Sequence, residues 1–202
     1  ALAYCHFPYA FHTIGSSMAV KASVYCKAGG MNKRKAGEDF YFLNKVFHYG
    51  KVIELNSAIV YPSARVSTRV PFGTGRAQQN FMEKKDESFS TYSFNSFEDL
   101  KSFFECDLYE KKLDQLLLPP SVIQFLNEND FENKLTEIKN NTTSKQQFQK
   151  RFFDRFDAFM LLKFVHFARD NFYPNQNILN EVNKWMLKTQ KPLIRSAQEP
   201  LR

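Results

Sequence analysis

Glycine stops at position 75. The chain has 202 residues and only seven glycines, at positions 15, 29, 30, 37, 50, 73 and 75, and none follows. Glycine gives the backbone the freedom that tight turns need, so the first part can punctuate short elements that the rest cannot. The remainder is rich in Phe, Leu, Lys and Glu, with Phe reaching 22 in the whole chain. That composition without glycine suits helices packed through large aromatic side chains. The expected organisation is an α/β part over residues 1–82 and a helical part over 83–202.

Within the first part, "SSMAVKA" (16–22) reads as a short strand and "SVYCKAG" (23–29) as a helical turn stopped by Gly29. "EDFYFLNKVFHYG" (38–50) reads as a helix, because Phe42, Val46 and Tyr49 recur at i, i+4 and i+7. Glu38 and Asp39 at its start and Lys45 and His48 near its end suit the helix dipole. "KVIELNSAIVYP" (51–62) reads as a strand ended by Pro62. Two strands do not make a stable sheet alone, so an incomplete sheet is expected, with an edge at 16–22 that a second copy of the chain could fill.

The helical part divides at its prolines. A helix over 97–120 is expected to start from a Ser96 cap and stop at Pro119-Pro120, followed by one or two short helices over 121–141. Residues 143–174 read as one long helix with Phe148, Phe152, Phe156, Phe159, Lys163 and Phe167 near one stripe. Its interleaved Arg and Phe could suit a membrane surface or stacked bases, but Asp154 and Asp157 interrupt the basic residues and the apolar face is wide, which favours a buried bundle helix. A last helix is expected over 175–188.

The net charge of +7 favours an anionic partner or simply keeps the protein soluble. No nucleic-acid-binding signature is present, so nucleic acid is not expected. Cys5, Cys26 and Cys106 form neither a disulfide framework nor a zinc ribbon, and a reducing, cytoplasmic setting is expected, with peripheral membrane contact left open. No apolar run approaches the roughly 20 residues that a membrane-spanning helix needs.

Candidate chemistry gathers in "GGMNKRKAGEDFYFLNKV" (29–46). Adjacent Glu38 and Asp39 point about 100° apart on a helix, so one can enter a pocket while the other braces the loop. Their simplest role is helix electrostatics, worth about 0.3–1 kcal/mol. An ionised carboxylate there could also take a proton from an attacking hydroxyl. Lys33, Arg34 and Lys35, and further on Arg65, Arg69 and Arg76 in "RVSTRVPFGTGRA" (65–77), could hold phosphate oxygens. "GTGRA" lacks the following Gly-Lys-Ser/Thr of a P-loop. His12 is a candidate metal or diphosphate contact; His6 and His48 offer less, and His166 is expected to pack within the helical part.

The ordered set "HTIGSSMAVKASVY", "GGMNKRKAGEDFYFLNKV", a strand ending "VYP" and then "RVSTRVPFGTGRA" resembles the acceptor-side half of family-2-type glycosyltransferases of the GT-A fold, over about residues 11–80. The resemblance implies that Asp39 is the catalytic base and Glu38 its neighbour. It implies an incomplete GT-A-like sheet followed by an all-α extension, a nucleotide sugar and a hydroxyl acceptor as partners, and inverting transfer. The family's nucleotide-binding region and its Asp-x-Asp metal motif have no counterpart here. A divalent metal (Mg or Mn) is therefore expected only in a full-length enzyme, with none in this fragment, which alone should be inactive. The Gln-x-x-Arg-Trp motif of processive members is also lacking. The alternative reading is a helical protein-interaction module without catalysis.

Overall fold

The structure is a computed structural model and describes residues 1–12, 15–34, 37–55, 57, 60, 61, 79 and 89–194. It divides into two compact units, residues 11–87 and residues 1–10 together with 88–202. The first ten residues, which the sequence places with the α/β part, are thus packed into the helical unit.

In the smaller unit the described residues include the α-helices α1 (Ala22–Lys27) and α2 (Glu38–Val46). Gly37 precedes α2 in the left-handed conformation, at φ 73°, which favours glycine. A single 3-10 turn, Phe47–Tyr49, extends α2, so the helix expected over 38–50 forms. Phe42 and Leu43 are buried; Tyr25 meets Phe42 and Phe11 meets Phe47, with ring centroids 5.3 Å and 5.1 Å apart.

Neither strand expected in this unit forms among the described residues. Residues 15–17 make a 3-10 turn where "SSMAVKA" was expected to extend, and residues 51–55 carry no ladder. Period-2 alternation specifies which face a strand would bury, but a strand exists only when a neighbour accepts its backbone hydrogen bonds. Ile53 and Leu55 are left 74% and 68% exposed. The sheet of the described residues is a two-residue antiparallel ladder in the other unit, β1 (Ser90–Thr91) with β2 (Gln176–Asn177), pairing Ser90 with Asn177. The described chain is therefore mostly helical.

The larger unit is a helical assembly of α3 (Asn95–Phe104), α4 (Pro120–Glu128), α5 (Phe131–Asn140), α6 (Lys145–Arg155), α7 (Ala158–Asn171) and α8 (Ile178–Lys188). Three boundaries differ from the sequence reading. The helix expected over 97–120 ends at Phe104, and Pro119-Pro120 opens the next helix instead of closing this one. Proline at a first helical position costs nothing, since its missing N–H has no intrahelical partner there. Ser96 lies buried inside the first turn of α3; the residue at the cap is Phe94, whose N–H donates to Glu181 Oε2 at 2.5 Å. The long helix expected over 143–174 is two helices. Phe156 leaves helical geometry at ψ 64°, and Asp157 caps α7 by accepting the N–H groups of Phe159 and Met160 at 3.0 Å.

That break redistributes the expected stripe. Phe148, Phe152 and Phe156 stay buried, Phe159 is half-buried, and Phe164 rather than Lys163 enters the core. Phe156 is 1% exposed, with the rings of Phe103, Phe131 and Phe152 centred 5.7, 5.6 and 6.0 Å away. Cys5 and Phe7 plug the same core, and burial pushes the Cys5 thiol up to about 11. No helix among the described residues is long and apolar enough to cross a membrane.

Candidate functional site

The structure places Glu38 and Asp39 in the first turn of α2, both half-buried. Asp39 Oδ1 accepts the Phe40 N–H at 2.7 Å, and Asp39 Oδ2 accepts the Gly15 N–H at 3.1 Å. This second bond spans 24 residues and joins "HTIGSSMAV" to "AGEDF". The carboxylate is thus fixed at both oxygens by main-chain donors. A carboxylate has about four lone-pair positions, so each oxygen can still accept a hydroxyl proton. Glu38 takes neither of these two bonds.

The basic loop is only partly described. Lys33 and Arg34 are exposed, and the Arg34 guanidinium lies over the Tyr41 ring at 3.6 Å from its centre. That stacking holds one positive group against Tyr41 of α2, which is two residues along the chain from Asp39. Lys45 Nζ reaches Asn32 Oδ1 at 3.5 Å and ties the loop to the helix. Lys35, Arg65, Arg69 and Arg76 lie outside the described residues.

His12 is exposed. Among the described residues no three or more His, Cys, Asp or Glu side chains stand together as a metal-holding group.

The helical unit holds polar groups that the sequence did not single out. Asp99 Oδ2 accepts the Ser121 hydroxyl at 2.5 Å and the Tyr173 hydroxyl at 2.8 Å, joining α3, α4 and the segment that follows α7. His166, expected to pack in this part, pairs its Nε2 with the Tyr92 hydroxyl at 2.8 Å. An open cavity of about 320 Å³ is lined by Glu137, Ile138, Asn141, Arg151, Asp154 and Arg155. Arg155 is already paired with Glu137 at 3.5 Å. Of the described site residues expected from the sequence, Lys33, Arg34, Glu38, Asp39 and His12, none lines this cavity. Asp99, Ser121 and Tyr173, like Tyr92 and His166, are too far apart in the chain to leave a spacing pattern, so no sequence signal points to them. No family model, curated protein or solved structure matches the chain.

Proposed function

We propose that the chain carries the acceptor side of an inverting glycosyltransferase with a GT-A-like fold. The observation that carries this reading is the fixed carboxylate of Asp39 at the mouth of α2, where the two stretches bearing the resemblance meet. An acceptor hydroxyl would give its proton to Asp39 as its oxygen attacks the anomeric carbon of a nucleotide sugar, and the nucleoside diphosphate would leave with the bonding electrons. Lys33, Arg34 and Lys35, with Arg65, Arg69 and Arg76, would balance diphosphate charge or hold a phosphate-bearing acceptor. In this reading the donor site would lie with the further strands that complete a GT-A-like sheet, in which 51–62 would be one strand. The exposure of Ile53, Leu55 and Tyr61, at 74%, 68% and 87%, supports that completion, because apolar residues in a strand-patterned segment gain by being covered. The cytoplasmic setting expected from the cysteines is part of the same proposal.

Steady-state kinetics on the full-length protein test it. Asp39→Asn should lower kcat by about 10²- to 10⁴-fold with little change in KM for the nucleotide sugar, and Glu38→Gln should do less. Equal small losses at both positions, matching only a few tenths to about 1 kcal/mol of helix stability, would remove the catalytic assignment.

The second reading, a protein-contact role for the helical unit, is favoured by Leu117, which is 99% exposed beside buried Leu118. Under that reading Leu117→Ser would abolish assembly seen by light scattering and leave turnover unchanged.

A further inference from the structure

We propose that Gly15 is the positioning residue of Asp39, and that position 15 must lack a side chain for the carboxylate to stand where it does. The inference rests on the transferase reading above. The Gly15 N–H donates to Asp39 Oδ2 at 3.1 Å. A Cβ built at position 15 would stand 2.7 Å from Asp39 Cβ, 2.7 Å from Oδ2 and 3.1 Å from Cγ. Carbon atoms settle at about 3.5–4.0 Å from one another, so even alanine does not fit. Asp39 Cβ is bonded to the helix backbone and cannot swing aside, as the tip of a long side chain could. Rotating the carboxylate leaves the clash with Asp39 Cβ, so the 15–17 turn must withdraw, and that breaks the hydrogen bond.

The requirement is for space and not for backbone conformation. Gly29, Gly30 and Gly37 take positive φ, and Gly15 does not. With one oxygen held by Gly15 and the other by Phe40 at 2.7 Å, the carboxylate keeps a single orientation before any acceptor arrives. Such pre-orientation matters for a general base, since displacing a reacting group by about 1 Å can cost 10²-fold in rate.

The test is a double-mutant cycle on the full-length protein with a panel of nucleoside-diphosphate sugars, normalised to folded protein. Gly15→Ala should lower kcat by about 10²-fold, with KM for the donor within about twofold. The double variant Gly15→Ala/Asp39→Asn should be no slower than Asp39→Asn alone, because Gly15 acts through Asp39. Losses that multiply in the double variant would overturn the proposal, as they would mark an unrelated structural role. If Asp39→Asn is slow while Gly15→Ala keeps full kcat, the positioning role fails and the transferase reading stands. If no sugar is transferred or hydrolysed by the unmutated protein, the transferase reading fails and takes this role with it. Should Gly15→Ala not fold, the Gly15 amide proton resonance decides. It should move upfield in Asp39→Asn, where a neutral amide replaces the charged acceptor, and an unmoved resonance overturns the proposal.

Discussion

Asn183 pairs with Ile194 as one strand residue pairs with another. Its side-chain Nδ2 donates to the Ile194 carbonyl and its Oδ1 accepts the Ile194 N–H, each at 3.0 Å. A side chain on α8 thereby satisfies both main-chain polar groups of one residue in the segment that turns back after the helix. The turn itself runs through Gln190 at φ 55°, and the Lys191 N–H closes it on the Met186 carbonyl at 2.9 Å. A non-glycine residue in that region is strained, by about 1–2 kcal/mol.

Two substitutions separate those effects. Asn183→Ala should cost about 1–2 kcal/mol, the net value of two hydrogen bonds, and should abolish hydrogen-exchange protection at the Ile194 amide. Gln190→Gly should stabilise the protein by about 0.5–1 kcal/mol and keep that protection. Urea unfolding and amide exchange on both variants read the two predictions.

Phe156→Ala should cost about 3–5 kcal/mol, because Phe156 is 1% exposed at the centre of the aromatic core. Binding to anionic liposomes should not change. A large loss of liposome binding with little loss of stability would mean that the α6 and α7 aromatics face a membrane and not one another.

Tyr173 makes stability fall at alkaline pH. Burial, followed by its hydrogen bond to Asp99, pushes the phenol from 10.0 up to about 12. The folded chain therefore keeps a proton that the unfolded chain releases first. The stabilisation is complete below about pH 10 and is lost as pH rises from about 10 to about 12. Tyr173→Phe should be less stable at neutral pH by about 1.5–3 kcal/mol, the value of a hydrogen bond to a charged group. It should also lack this alkaline loss. Buried Cys5 adds its own loss between its ordinary 9.0 and about 11, equally in both proteins, so the difference between the two pH curves isolates Tyr173.

The helices expected over 38–50, 121–141 and 175–188 form, as α2 with its 3-10 turn, α4 with α5, and α8, because the evidence for a helix is local: apolar residues one turn apart and, in α2, acids and bases at the ends that suit them. The burial of Phe148, Phe152 and Phe156 follows from the same spacing. The break at Phe156-Asp157 was also written in the chain, as an aspartate before an apolar run, but the apolar spacing continues across it and concealed it. Pro119-Pro120 opens α4 and closes no helix, since proline suits a first helical position as well as the residues after a helix end, and the sequence alone does not say which.

By itself, then, the sequence determined where helices can form, which of their faces are apolar, and that a carboxylate pair opens α2. Tertiary structure alone decided the pairings between distant residues. Glu181 receives the N–H of Phe94 from 87 residues away, the first ten residues join the helical core, and Gly15 meets Asp39 across 24 residues. The strands expected at 16–22 and 51–62 belong to the same class. A helix satisfies its own backbone within one segment, whereas a strand, a distant cap and a carboxylate held by a glycine amide each need a partner that local sequence does not specify.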